Sequence, residues 1–230
     1  MTFSSTFAEQ SFEQVFAIAD PYSMCGRARL QRLYVGALQV AARYPDANLV
    51  DCGVAGGGSS AVLAAALQAS AANTASRVYC FDTFQGLPAP GPQDMREGRH
   101  AADLGWGEGT CAADVSSLLE VCTKLGVLER IVPVQGLFAT TISQWREKIG
   151  PIALLHMDGD WYDSTLQVLE GLYEQLLPEG MLQIDDYGYW DGCRKAVHDF
   201  FASQRLRIDP HVIDSTGVWL WKSEIMTINS

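Results

Sequence analysis

IALLHMDGDWYDSTLQVLEGLYEQLLPEGMLQIDDY, residues 152–187, reads as strand, acidic turn, helix, strand, acidic turn. The first apolar run, Ile152–Met157, ends in Asp158-Gly159-Asp160. The second, Met181–Ile184, ends in Asp185-Asp186. Between them Leu166, Leu169, Leu172, Tyr173 and Leu176 recur at helical spacing. Ser164, with Gln167 three residues on, predicts a capping box, and Pro178-Glu179-Gly180 a stop. A strand, helix and strand joined by short loops imply a right-handed crossover and two parallel strands. Asp158, Asp160, Asp185 and Asp186 then stand at carboxyl ends of neighbouring strands, the edge where open α/β sheets bind ligands.

Charge sharpens this reading. Residues 152–192 hold nine acidic residues and no Lys or Arg. Adjacent strands lie about 5 Å apart, so carboxylates closing two of them repel and raise one another's pKa. A bound cation resolves the conflict, and an all-oxygen donor set favours a hard divalent ion such as Mg²⁺. The plain rival, a solvated acidic face, fits poorly with acids that close buried-type strands.

The 230 residues suit one domain, or one with a small appendage. With 48% hydrophobic and 19% charged residues the chain can bury a full core. A net charge of −11 argues against nucleic acid or an anionic membrane as partner. The start lacks the basic and long apolar parts of a signal peptide, and no apolar run is long enough to span a bilayer. The six cysteines form no CxxC pair, which predicts a reduced, cytoplasmic protein.

Upstream, Phe3, Phe7, Phe12 and Phe16 mark one face of a helix for packing on the domain or a second subunit. A second helix is predicted over about 26–44. Asn48–Cys52 reads as a strand running into Gly53-Val-Ala-Gly-Gly-Gly-Ser-Ser60 and an Ala/Leu helix. The glycines admit close backbone approach, and the helix start offers free amides to a negative group. This is neither G-x-G-x-x-G nor a P-loop. Asp51 followed by G-x-x-G-G is closer to S-adenosylmethionine (SAM) enzymes. The next strand, Arg77–Phe81, ends in Asp82, placed to take both hydroxyls of a ribose. Residues 84–111 are irregular and too long for a plain connection, so they read as a lid or a linker. Trp106 and His100 are candidates there to meet substrate. Ile131–Val134 is a short strand ending in Gln135-Gly136, a position that in SAM enzymes often lies against adenine. Trp161, Tyr162, Tyr187, Tyr189 and Trp190 gather near the acidic turns, as walls for a sugar or aryl ring or as core. His156, inside a strand pattern, reads as a core or supporting histidine and as a rival base. Residues 211–213 and 218–221 predict a final hairpin.

Four blocks then carry a resemblance. Asp51-Cys-Gly-Val-Ala-Gly-Gly-Gly-Ser-Ser60, Phe81-Asp-Thr-Phe-Gln-Gly-Leu-Pro88, Leu155-His-Met-Asp-Gly-Asp-Trp-Tyr-Asp-Ser-Thr165 and the block from Ile184-Asp-Asp to Val197 resemble the macrocin O-methyltransferase (TylF-type) family. The resemblance implies a Rossmann-like class I SAM-dependent methyltransferase, with a seven-stranded, mostly parallel sheet between helical layers. It implies metal ligands at Asp158, Asp185 and Asp186 and a general base at Asp160. It implies SAM contacts at Asp51, Gly53, Gly57, Ser59, Ser60, Asp82, Gln135, Gly136 and Asp158. Residues 1–45 become a helical cap or dimer contact, and 46–230 the methyltransferase domain, in a homodimer as in relatives. The expected reaction is SAM- and Mg²⁺-dependent O-methylation of a sugar hydroxyl on a small glycosylated metabolite. A catechol-type acceptor is the alternative, since vicinal aryl oxygens chelate Mg²⁺ equally well. A nucleoside-binding module without catalysis is the non-enzymatic rival. The glycine turn reads Ala55-Gly56 where relatives often carry bulkier residues, and Asp51 stands where Glu is common; both bear on the acceptor more than on the chemistry.

Overall fold

The computed structural model describes residues 5–70, 72–73 and 75–228, with side chains from residue 12 on. Seven strands make the main sheet: β1 (Asn48–Cys52), β2 (Val78–Asp82), β3 (Ile131–Gln135), β4 (Ile152–Met157), β5 (Leu176–Ile184), β6 (His211–Val212) and β7 (Val218–Trp221). Their order across the sheet is β3-β2-β1-β4-β5-β7-β6. The first five are parallel; β7 runs antiparallel to β5, and β6 antiparallel to β7. The order reverses between β1 and β4, so loops leaving these two strands diverge and open a crevice. This is the expected seven-stranded class I methyltransferase sheet.

Helices α1 (Ser5–Ala19), α2 (Arg27–Arg43), α3 (Gly58–Ala69) and α4 (Val115–Lys124) cover one face; α5 (Phe138–Ile149), α6 (Tyr162–Leu172) and α7 (Asp191–Ser203) cover the other. On α2, Leu30, Leu33, Tyr34, Ala37, Val40 and Ala41 are buried at three- and four-residue spacing. The helix therefore shares the core of the sheet. Gly36 lets it sit close: an added Cβ would lie 2.3 Å from Met181 Sδ of β5. That closeness offsets the cost, about 1 kcal/mol relative to alanine, of a glycine inside a helix. Phe12 of the expected N-terminal stripe is buried against Tyr34, ring centres 5.6 Å apart. Phe3 lies outside the described residues, as does the side chain of Phe7. Among the described residues no helix is long and apolar enough to cross a membrane.

Two expectations for 152–187 are corrected. The helix α6 begins at Tyr162, so Ser164 lies inside its first turn and caps nothing; no side chain of its N-cap residue, Trp161, bonds back. Asp94, 68 residues away, takes the capping part by accepting from Tyr162 N at 2.7 Å. The helix also stops before Pro178. A short 3₁₀ turn, Tyr173–Gln175, precedes β5, which contains Pro178-Glu179-Gly180. Ile152 faces Leu176 and Leu154 faces Met181, so the extra residues bulge out of the ladder and leave proline no partner to rob.

Residues 84–111 form an ordered cover. It includes a small hairpin, Met95–Arg96 with Arg99–His100, and a 3₁₀ turn, Ala101–Leu104. His100 Nε2 bonds Gly91 O at 2.9 Å, and Trp106 packs edge-on against Trp190 and Tyr189. Trp161 and Trp190 are fully buried, 5.0 Å apart. This aromatic wall fixes the cover to the start of α7.

Candidate active site

A cavity of about 230 Å³ opens at the carboxyl edge of the sheet, between the cover and the strand ends. Gly53, Ala55, Asp82 and Thr83 line one part of it. Asp158, Gly159, Asp160 and Trp161 line another, and Leu137, Phe138 and Ala139 a third.

The glycine turn is placed by its backbone. Gly53 has φ +94°, and a Cβ there would fall 1.7 Å from the carbonyl oxygen of Asp158. Only glycine lets β1 and β4 release their chains this close together. Asp82 Oδ2 accepts from Val54 N at 2.7 Å and Ala55 N at 2.9 Å, and Oδ1 accepts from Phe84 N at 2.7 Å. The carboxylate thus fastens the turn while facing the cavity, with lone pairs left for a hydroxylated ligand.

The structure relocates several expected cofactor contacts. Asp51, Ser59 and Ser60 are fully or almost fully buried and do not line the cavity. Both serine hydroxyls donate to Asp51 Oδ2, at 2.8 and 2.5 Å, and His156 Nδ1 meets Asp51 Oδ1 at 2.7 Å. Strand alternation turns Asp51 and His156 away from the cavity, and Ser59 and Ser60, in the first turn of α3, reach Asp51 there and brace the glycine turn. Gly57, the N-cap of α3 at φ +99°, packs on the backbone of Leu118 in α4. Gln135 and Gly136 also miss the cavity. Gly136 N continues the ladder to Asp82 O at 2.9 Å, and the next three residues supply the wall instead.

The acids are brought together, with a difference from the expected set. Carboxylate oxygens of Asp158, Asp160 and Asp186 lie within 4.8 Å of one another. Asp185 turns to the opposite side, as consecutive residues at a strand end must, and pairs with the Arg29 guanidinium. Arg29 is in turn held by Asp214 at 3.1 Å. His156 lies in the core, as expected, with Nε2 3.8 Å from Asp185 Oδ1.

Asp160 sits in a left-handed conformation, φ +56°. Asp186 Oδ2 accepts its backbone N–H at 3.1 Å, and its own Oδ1 accepts from Trp190 Nε1 at 2.9 Å. Burial lifts its carboxyl to about 7; the Trp190 N–H opposes this, and the charges of Asp185 and Asp94 add to it. Burial first, then neighbouring acids, push Asp158 and Asp186 well above the usual carboxylate range. On His156 burial disfavours the charge, but the carboxylates of Asp185 and Asp51 outweigh it and lift the imidazole to about 9. Clustered, buried, mutually repelling oxygens fit a hard divalent cation. Asp185 Oδ1, buried without a hydrogen bond, faces the His156 imidazole across 3.8 Å.

Sequence reasoning did not single out Asp94, Cys25, Arg29 or Met24. Asp94 caps α6 and lines the cavity; Met24, beside Cys25, lines it from the loop before α2. A lone Asp in an irregular segment carries no local signal. Trp106 and His100 do not line the cavity. Tyr162 and Tyr187 are tied outward, to Asp199 and His198.

With this geometry in place, a family model described as macrocin-O-methyltransferase (TylF) matches residues 17–222. The chain belongs to this family. A relative from Streptomyces olivaceus, 8-demethyl-8-(2,3-dimethoxy-alpha-L-rhamnosyl)-tetracenomycin-C 4'-O-methyltransferase, is 34% identical over 208 residues, covering 87% of this chain and 75% of the relative. The demethyldecarbamoylnovobiocin O-methyltransferase of Streptomyces niveus is 27% identical over 202 residues, covering 87% and 76%. Among solved structures, the O-methyltransferase NovP superposes with a TM-score of 0.81 at 23% identity, over 96% of this chain and 100% of that one. The SAH-bound Podospora anserina methyltransferase PaMTH1 shares the fold at a TM-score of 0.56 and 12% identity, over 95% and 96%. This TylF-family chain is an O-methyltransferase of the SAM-dependent class I fold.

Proposed function

We propose that this TylF-family enzyme methylates a sugar hydroxyl of a small glycosylated metabolite, using SAM and a divalent metal ion. The observation that carries the reading is one cavity in which the Gly53–Asp82 turn faces Asp158 and Asp160, whose carboxylates lie within 4.8 Å of that of Asp186. A nucleoside site and an acidic site sharing one crevice suit transfer between a cofactor and a hydroxyl. The sugar acceptor draws on the relatives, whose names specify methylation on a rhamnosyl tetracenomycin and at the 3'' position of mycinamicin III. The mouth of the cavity agrees with a sugar carried on an apolar aglycone, since Met24 and Leu137 line it while more than half exposed.

The SAM sulfonium supplies the methyl group; Gly53 and Asp82 would hold its nucleoside. A hard divalent cation supplies charge neutralisation and acidifies an acceptor hydroxyl. Asp158 and Asp186 would hold it, and Asp185 joins them only if its carboxylate leaves Arg29. Asp160, at about 7, is placed to accept the acceptor's proton near neutral pH. The Trp161–Trp190 wall and the cover over residues 84–111 keep water from the reacting atoms. A homodimer and a cytoplasmic location belong to the same reading, as does a capping part for residues 1–45.

The test is turnover of SAM with a panel of rhamnosylated aglycones, free sugars and catechols, each with Mg²⁺ and with excess EDTA. Methyl transfer to the glycosides alone, lost in EDTA, supports the reading. Transfer to catechols but to no glycoside replaces the acceptor, and full activity in EDTA removes the metal.

A further inference from the structure

Asp94 lies outside the acid cluster, yet it is buried where the cover, α6 and α7 meet. It is 1% exposed, and it lines the cavity. Its Oδ1 accepts from Tyr162 N and its Oδ2 from Gly91 N, each at 2.7 Å. The same Oδ1 lies against Gly192, where an added Cβ would fall 2.1 Å away. Tyr162 opens α6 and Gly192 is the second residue of α7, so the carboxylate stands at two helix starts. Helix starts carry partial positive charge, and with two N–H bonds they offset the cost of taking a carboxylate out of water.

Those two helix starts are what hold Asp160. Asp160 lies just before Trp161 and Tyr162, in a left-handed conformation at φ +56°. Such a backbone costs free energy and persists where its surroundings over-determine it. On one side Trp190, the residue before α7, donates to its Oδ1, and its own N–H donates to Asp186. On the other side Trp161 Nε1 donates to Pro88 O at 2.8 Å, and Tyr162 N donates to Asp94. Both of these acceptors belong to the cover. Trp161, the N-cap residue, gives α6 no side-chain cap of its own. The turn that carries Asp160 is therefore closed from the cover, and Asp94 reaches both helices that fix it.

We propose that Asp94 is a positioning residue: from the cover it holds the turn that carries Asp160, and so sets where the base meets the acceptor hydroxyl. Pro88, Gly91 and Asp94 line the cavity beside Asp160 and Trp161, so the wall an acceptor touches and the turn that carries the base form one bonded unit. A reacting group misplaced by about 1 Å costs about 10²-fold in rate. The bonds of Asp94 reach neither the glycine turn nor Asp82, so SAM binding stands apart from it. This role rests on Asp160 being the base, as proposed above, and not on the identity of the acceptor.

The test is a double-mutant cycle between Asp94→Ala and Asp160→Asn. It is read by transfer of tritiated methyl from SAM to a rhamnosylated aglycone, or to a catechol where catechols alone turn over. With Asp160 in place, Asp94→Ala should lower kcat by about 10–10²-fold and leave acceptor KM and calorimetric SAM affinity within about threefold of wild type. In the Asp160→Asn background the same change should cost less than about threefold, because a residue acting through the base has nothing left to position. Gly192→Ala, which pushes Asp94 aside from α7, should repeat both results. Should Asp94→Ala misfold, Asp94→Asn, which keeps one acceptor oxygen, takes its place in the cycle. A folded Asp94 variant with wild-type kcat, or an equal loss in both backgrounds, overturns the proposal. Amide exchange supplies a readout that needs no acceptor. Residues 158–165 should exchange about tenfold faster in the Asp94 variant while residues 53–60 keep their wild-type rates, and an unchanged 158–165 segment overturns the tie. An inactive Asp160→Asn with additive losses removes only the part given to Asp94. An Asp160→Asn as active as wild type removes the base and this role with it.

Discussion

The indole N–H of Trp190 donates to Oδ1 of Asp160 at 2.9 Å, joining the base candidate to the start of α7. This bond works against burial, because it favours the ionised carboxylate. Trp190→Phe removes the donor and keeps most of the ring. The pH midpoint of turnover should rise by about one unit, equivalent to about 1.4 kcal/mol, with SAM affinity little changed. An unshifted profile in a folded variant means the bond does not tune Asp160.

Asp160→Asn keeps a residue that tolerates the left-handed backbone and still accepts from Trp190. It cannot take a proton. Turnover should fall by about 10²–10⁴-fold while calorimetric SAM binding persists. A variant retaining a third of wild-type activity would assign the proton to another group, with His156 next in line.

Asp82→Asn exchanges an acceptor pair for an oxygen and an amide. The amide then faces either Phe84 N or the Val54 and Ala55 N–H pair, donor against donor, and the turn loosens where SAM is expected. SAM affinity should drop at least tenfold with a melting temperature within a few degrees of wild type. Unchanged affinity would place the nucleoside elsewhere.

Protonation links this site to stability. Asp160 is raised to about 7 and His156 to about 9, so the folded chain holds more protons than the unfolded one over about pH 4–9. For both groups the stabilising contribution is full below the unfolded pKa and fades as pH rises through the folded value. Metal-free enzyme should therefore melt at a lower temperature at pH 8.5 than at pH 5.5. A loss of about 1 kcal/mol corresponds to roughly 2–4 °C for a chain of this size. Saturating Mg²⁺ should shrink the difference, and a melting temperature that climbs with pH in EDTA contradicts the account.

The sequence by itself determined the sheet and its working edge. Residues 48–60 and 152–187 announced strand–turn–helix units because apolar periodicity and glycine turns are local signals that survive without contacts. The acids at Asp82, Asp158 and Asp186 were legible for the same reason, as residues that end strands. The tertiary structure decided which way each one faces. Asp185 and Asp186 are neighbours in sequence, yet one meets Arg29 and Cys25 and the other meets Asp160. Asp94 caps a helix 68 residues on, and Asp51 leaves the cavity to hold His156. Pro178 sits in a strand because a bulge spares its missing donor. Each of these depends on a partner distant along the chain, and packing, not propensity, chooses such partners.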